Sequence, residues 1–208
     1  MDEKQTARKE ALARRDALLS EVRAQKSVQV CEGLKNLVSE WFGEDSTDVA
    51  KPRHVAVYAA IRSELDLSVF VEAAYARGWD VCFPCMVRDD CGSLDGEPRM
   101  VFVPVSRETL RSDPPVFITH PVRSWTMRQL ADAGFSVVAP ERLDAVAVPL
   151  VGFDATGMRL GYGGGNYDRF LPQLRPDALV VGVAFAEQQL ARVPTEPHDQ
   201  PLPRILSA

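Results

Sequence analysis

The sequence predicts an α/β protein with a mainly parallel central sheet flanked by helices and a helical segment at its N-terminus. Three observations predict it. Apolar, β-branched runs read as strands buried on both faces; helix-period segments alternate with them; and residues from about 3 to 43 contain no proline and a single internal glycine, Gly33. With 208 residues, 46% hydrophobic and 25% charged, the chain can bury a substantial core. No repeat, low-complexity tract or interdomain linker divides residues 1–208, so a single domain is expected.

In the N-terminal stretch, Leu12, Leu19, Val22, Leu34, Leu37, Val38 and Trp41 recur at roughly helical spacing, which predicts one long helix or two consecutive ones. After the turn-rich GEDSTDVAKPR, the run HVAVYAAI reads as a strand and LSVFVEAAYARGWD as a helix closed by Gly78. VCFPCMV and MVFVPV are further strands, with a change of direction expected at Pro84. RDDCGSLDGEPR between them reads as a loop or hairpin tip. SWTMRQLADAG is expected to form a short helix ended by Gly134. LDAVAVPLVGF and ALVVGVAF are continuous apolar runs, the pattern of strands covered on both faces.

Composition narrows the function. A net charge of −5 argues against a protein built mainly to neutralise phosphate backbones, so no nucleic-acid partner is expected. No run of about 18 apolar residues occurs, and the N-terminus MDEKQTARKEALARR is charged where a secretory signal carries an apolar core. A cytoplasmic protein with no membrane partner is therefore expected. Cysteines stand at 31, 82, 85 and 91, and Cys82 and Cys85 have CxxC spacing, but no second CxxC or nearby histidine completes four ligands. Reduced thiols are the expectation.

The stretch RLGYGGGNYDRFL, Arg159 to Leu171, carries the chemistry. It follows the strand DAVAVPLVGF and the turn DATG, and precedes a helical candidate, NYDRFLPQL, that Pro172 keeps short or kinked. A glycine-rich turn between strand and helix lets backbone N–H groups approach an anion, and the helix start adds to the attraction. The P-loop pattern is absent because no Lys-Ser/Thr pair follows the glycines, and GxGxxG finds Asn166 at its last position. By glycines alone, a plain turn and a phosphate cradle are equally good readings. Arg159 and Arg169 supply cations and Asp168 a hard oxygen ligand within the same dozen residues, the mixture a magnesium nucleotide needs.

At these residues the chain resembles the 5-formyltetrahydrofolate cyclo-ligase family, also called 5,10-methenyltetrahydrofolate synthetases. The family pattern RxGxGxGxYDRxL is matched by Arg159, Gly161, Gly163, Gly165, Tyr167, Asp168, Arg169 and Leu171. The likeness continues in an N-terminal KxxxR, here Lys4 and Arg8, in VAVYAAIRSELD with Glu64, in VCFP, and in FAEQQLARVPTEPHD. The resemblance implies an ATP-dependent enzyme. The formyl oxygen of 5-formyltetrahydrofolate attacks the γ-phosphoryl group, N10 closes on the activated carbon, and phosphate and ADP leave the methenyl product. Such chemistry asks chiefly for alignment and charge compensation.

The resemblance also implies roles. ATP falls to Lys4, Arg8, Arg159 and the loop Leu160, Gly161, Tyr162, Gly163, Gly164, Gly165, Asn166 and Tyr167, with Lys4, Arg159 and Tyr167 as the catalytic positions. Mg2+ falls to Asp168 and Asp199, and the folate, with or without a polyglutamate tail, to Ala59, Glu64 and Tyr162. A monomer or small homo-oligomer is expected. Each residue has a plainer reading: Lys4 and Arg8 as a solvated helix face, Asp168 as a first-turn acid, Asp199 as a loop acid, Glu64 as a surface acid at a strand end. Tyr58, Phe83, Trp79 and Trp125 are ring-stacking candidates or core. The charged first turn around Lys4 has little apolar surface and is expected to order only with nucleotide. Two departures stand out: Pro203 where the family has a second acid after HD, and Asn166 where an aromatic is common. The rival readings are a non-catalytic nucleotide-binding relative and an NAD(P)-binding oxidoreductase.

Overall fold

The computed structural model describes residues 2–43, 53–88, 98–196 and 199–208. Its N-terminal stretch is two helices, α1 (Glu3–Asp16) and α2 (Ser20–Phe42), broken at Ala17–Leu19. Asp2 caps α1 by accepting a hydrogen bond from the Lys4 backbone N–H at 3.2 Å. The helix is formed from Glu3 onward and docked by the buried Ala7 and Ala11. Two alanines thus provide this turn with apolar contact that the flanking charges hide in the sequence.

Next come β1 (His54–Ala56), α3 (Ser68–Ala76), β2 (Asp80–Arg88), β3 (Arg99–Pro104), α4 (Arg107–Ser112) and α5 (Val116–Thr119). The remaining elements are β4 (Ser124–Thr126), α6 (Met127–Asp132), β5 (Leu143–Pro149), β6 (Gly152–Phe153), β7 (Arg159–Leu160), α7 (Asn166–Phe170), β8 (Leu179–Ala184) and β9 (Ile205–Ser207). The main sheet has the order β3-β2-β1-β5-β8-β9, with β4 also on β2. Every pairing in it is parallel except β2 with β3. The α/β class with a mainly parallel sheet is thus what the chain adopts.

Two local expectations fail. β2 runs straight through Pro84, which pairs with Phe102 of β3. Val81 C=O accepts from Val105 and Cys82 C=O from Val57, so even-numbered residues of β2 turn their backbone groups away from β3. On that side β1 pairs with residues 80–82 and β4 with 86–88, so Pro84 falls in the gap where no donor is needed. In SWTMRQLADAG the first three residues form β4, and the helix starts at Met127 behind a capping box of Thr126 and Gln129. The loop RDDCGSLDGEPR lies mostly outside the described residues, as does Cys91.

Helices α2 and α3, with Phe117 and Leu130, cover one face of the sheet, and α7 and Leu202 cover the other. Cys82 and Cys85 fall in different clusters because residues three apart on a strand point to opposite faces. No CxxC ligand pair forms. Burial pushes both thiols up, Cys85 to about 12. Trp79 is a core side chain, edge-on to Phe42 with ring centroids 5.0 Å apart, and the half-buried Trp125 packs on Phe117 at the edge of the core. Among the described residues no helix is long and apolar enough to cross a membrane.

Candidate active site

The strand order places a crevice between β1 and β5. From β1 the chain moves outward to β2, and from β5 outward to β8 on the opposite side, so the strand order reverses between them. In such sheets ligands bind outside the carboxyl ends of the strands at this point. Two cavities lie there, of about 450 Å³ beside Pro149 of β5 and about 470 Å³ beside Tyr58 and Ala59 after β1.

The first cavity collects Lys4, Arg8, Arg159, Leu160, Gly161, Tyr162, Gly163, Gly164, Gly165, Asn166, Tyr167, Asp168 and Asp199. These are all the residues assigned above to nucleotide and metal. The loop enters from the β6–β7 hairpin and leaves into α7. Gly163 and Gly165 have φ of +99° and +62°, the left-handed region that side chains disfavour. Arg8 lies over the loop: Nε donates to Gly161 C=O at 2.8 Å, and a Cβ on Gly163 would lie 3.6 Å from its guanidinium. α7 has only five residues and continues into a 3-10 turn, so its dipole adds little beyond its first N–H groups. Arg169 Nη2 donates to the loop's own Gly164 C=O and to the Asn166 side-chain oxygen at 2.8 and 2.9 Å, which braces the loop.

Helix α1 supplies cations from one face, since Lys4, Arg8, Ala11 and Arg15 are spaced at i, i+4, i+7 and i+11. Ala11 meets β6 where a Cβ on Gly152 would come within 3.1 Å, which fixes how close the helix lies. Lys4 Nζ donates to Glu196 and Asp199 at 2.5 and 2.6 Å. Burial pulls Lys4 down, but its bonds to Asp199 and Glu196 outweigh this and hold it above the usual lysine value. Arg159 donates to Gln200 C=O at 2.8 Å and pairs with the Asp168 carboxylate.

The second cavity holds Ala59 and Glu64, with Tyr58 and Phe83 along its wall. Glu64 accepts from the Ile61 N–H at 2.9 Å, and burial raises it above the usual carboxylate value. Tyr162, which lines the first cavity, stands close enough to Glu64 of the second for each to perturb the other, so the two sites share a wall. Tyr167 stands at the same wall, with its hydroxyl buried and without a hydrogen-bond partner among the described residues. Burial, and the nearby Glu64, push that phenol well above its ordinary value.

Several supporting residues escaped the sequence reading. Asp154, in the DATG turn, accepts from Thr156 and Met158 within the hairpin and from Val193 in the segment leading to Asp199. Gln188 donates to Leu150 and Val151 C=O and accepts from Phe185 N–H, which explains the FAEQ segment as a backbone clamp. Glu196 faces Lys4, and Arg15 is buried behind Tyr162. For Arg15, the i+11 spacing from Lys4 was the available signal.

A glycine loop, a row of helix cations and two acids thus meet at a sheet switch point, in a charged cavity beside a second with fewer charges. A model of the 5-formyltetrahydrofolate cyclo-ligase family matches residues 1–208, and the chain belongs to that family. The 5-formyltetrahydrofolate cyclo-ligase of Escherichia coli K12 is 30% identical over 161 residues, 74% of this chain and 76% of the relative. That of Saccharomyces cerevisiae is 25% identical over 211 residues, 96% and 92% of the two chains. A 5,10-methenyltetrahydrofolate synthetase structure from Mycoplasma pneumoniae shares the fold, with a TM-score of 0.70 at 20% identity, covering 98% of each chain. The protein is accordingly a carbon–nitrogen bond-forming cyclo-ligase of folate metabolism.

Proposed function

We propose that the protein uses ATP and Mg2+ to convert 5-formyltetrahydrofolate to 5,10-methenyltetrahydrofolate, with the triphosphate in the glycine-loop cavity and the folate in the Glu64 cavity. One observation carries this reading: Lys4 and Asp199, 195 positions apart, meet at 2.6 Å on the cavity that also holds Arg8, Arg159 and Asp168. The N5-formyl group is an amide, and closure by N10 requires its oxygen to leave. Phosphorylation converts that oxygen into a leaving group. Lys4, Arg8 and Arg159 compensate the charge on the phosphates and hold the γ-phosphoryl group in line with the formyl oxygen. Glu64 accepts hydrogen bonds from the pterin amine and ring N–H. The Tyr167 hydroxyl, on the wall between the sites and with no hydrogen-bond partner among the described residues, is suited to donate to the transferring or formyl oxygen.

The residues also fit a divalent ion. Asp168 and Asp199 line one cavity, each neutralised by a cation, Arg159 or Lys4, that can pass to phosphate. Among the described residues no cluster of three or more His, Cys, Asp or Glu side chains forms a metal cage. Two carboxylates completed by phosphate oxygens and water are a Mg2+ arrangement. When bound there, Mg2+ neutralises phosphate charge. A cytoplasmic location fits the charged α1 and the buried free thiols Cys31, Cys82 and Cys85.

Purified protein given 5-formyltetrahydrofolate, ATP and magnesium should form methenyl product, seen as a near-ultraviolet absorbance rise that stops without ATP or with EDTA. Nucleotide binding without turnover, or binding of NAD(P) in place of ATP, would overturn the reading.

A further inference from the structure

Arg15 is 1% exposed, the most completely buried charged side chain among the described residues. A guanidinium withdrawn from water is costly unless its donors are used, and the next residue on the same stripe, Ala11, shows that the face tolerates an apolar side chain. Its donors go to the wall between the two cavities. Nη1 donates to the Tyr162 hydroxyl at 3.0 Å and Nε to Ser63 Oγ at 3.0 Å, and Nε pairs with the Asp16 carboxylate at 3.6 Å. Its carbon lies 5.9 Å from the Tyr162 ring centroid. Ser63 belongs to the β1–α3 loop that carries Glu64, and Tyr162 to the glycine loop. One side chain of α1 thus ties together the loops of both cavities.

We propose that Arg15 is a positioning residue that couples the two substrate sites. Through Ser63 and the Tyr162 hydroxyl it keeps the folate-side loop and the glycine loop in one frame, which fixes the phenol beside the Glu64 carboxylate. The inference rests on the assignment of the Glu64 cavity to the folate. It assigns no chemical step to Arg15 itself, which touches neither cavity's contents.

The charge environment supports it. Glu64 faces Tyr162 of the glycine loop, Arg15 of α1, Tyr58 after β1 and Tyr167 of α7. Arg62, Asp66 and Glu72 share its cavity, and Ser63 and Asp16 stand behind it on Arg15. Burial raises Glu64, while the Ile61 N–H, Tyr162 and Arg15 pull it back down. Without Arg15 the carboxylate ionises at higher pH.

The test is steady-state kinetics on full-length Arg15→Met, Arg15→Lys, Tyr162→Phe and the Arg15→Met/Tyr162→Phe double variant, with ADP titration in the absence of folate. Turnover by the unaltered protein reports on the reaction itself; only the differences among variants report on Arg15. Arg15→Met should raise KM for 5-formyltetrahydrofolate about tenfold or more, the loss of one charge-assisted hydrogen bond. The acid limb of its kcat/KM profile should move to higher pH, while ADP affinity changes less than about threefold because Lys4, Arg8 and Arg159 remain. Tyr162→Phe in the Arg15→Met background should add less than about twofold, and Arg15→Lys should restore most of the pH profile. Additive losses in the double variant, an equal loss of ADP affinity, or a lowered melting temperature with an unmoved pH limb would overturn the proposal. Should Arg15→Met not fold, Arg15→Gln, alone and combined with Tyr162→Phe, carries the same comparison.

Discussion

Asp154 offers the sharpest test of how the site is held. It is 5% exposed, and its Oδ1 accepts from Thr156 N–H at 2.9 Å, Thr156 Oγ1 at 2.6 Å and Met158 N–H at 3.3 Å, while Oδ2 accepts from Val193 N–H at 2.8 Å. In Asp154→Asn the amide keeps its oxygen toward Thr156 and turns its NH2 against the Val193 N–H. That loses one hydrogen bond to a charged acceptor, about 1.5–3 kcal/mol, and leaves a buried donor unmet; since the two overlap, about 3 kcal/mol in all is expected. With an m-value of about 2–3 kcal/mol/M in urea, the unfolding midpoint should fall by about 1 M. The pH dependence has a definite sign. Burial pushes Asp154 up, but bonds from Thr156, Val193 and Met158 outweigh it and hold the carboxyl below the usual aspartate value. A group depressed by folding stabilises above its unfolded pKa, about 3.9, and that stability is lost as pH falls through the lower folded value. The unaltered protein should therefore lose this contribution below about pH 4, and Asp154→Asn should lack that component. A loss under about 1 kcal/mol, or an unchanged acid slope, would refute the role given to this carboxylate.

Other expectations follow from the same geometry. Gly157 has φ +83° and a Cβ there would lie 2.6 Å from Leu202 C=O, so Gly157→Ala should cost about 3 kcal/mol by denaturant unfolding and raise the magnesium requirement by loosening the Asp199 segment. Lys4→Met should raise KM for ATP at least about tenfold. Its stability cost should be about 1–2 kcal/mol, because one partner, Glu196, is 57% exposed while the other, Asp199, is only 19% exposed. Cys31, raised to about 11, and Cys82 and Cys85 are buried, so native protein treated with iodoacetamide at about pH 8 should stay unlabelled at all three by mass spectrometry. In urea all three should label.

The buried strands were legible because β5 and β8 are apolar on both faces, and the glycine loop was legible because its glycines, acid and arginines are contiguous. Lys4 and Arg8 were readable as a helix face; which partners they meet depends on α1 lying against Gly152, a close approach that only tertiary packing reveals. Pro84 misled because proline's effect on a strand depends on which neighbour is missing opposite it. Asp154 and Arg15 were passed over because their partners lie up to 39 and 147 positions away: an isolated Asp carries no periodic signal, and the helical spacing of Arg15 shows its face but not what it meets.

The most direct measurement is a crystal structure with a non-hydrolysable ATP analogue and magnesium. The account predicts that Lys4 and Arg159 leave the Asp199 and Asp168 carboxylates for phosphate oxygens, with the metal taking their place between the two acids. Phosphates seated away from Gly161–Gly165, or Lys4 still bound to Asp199 with the analogue present, would contradict it.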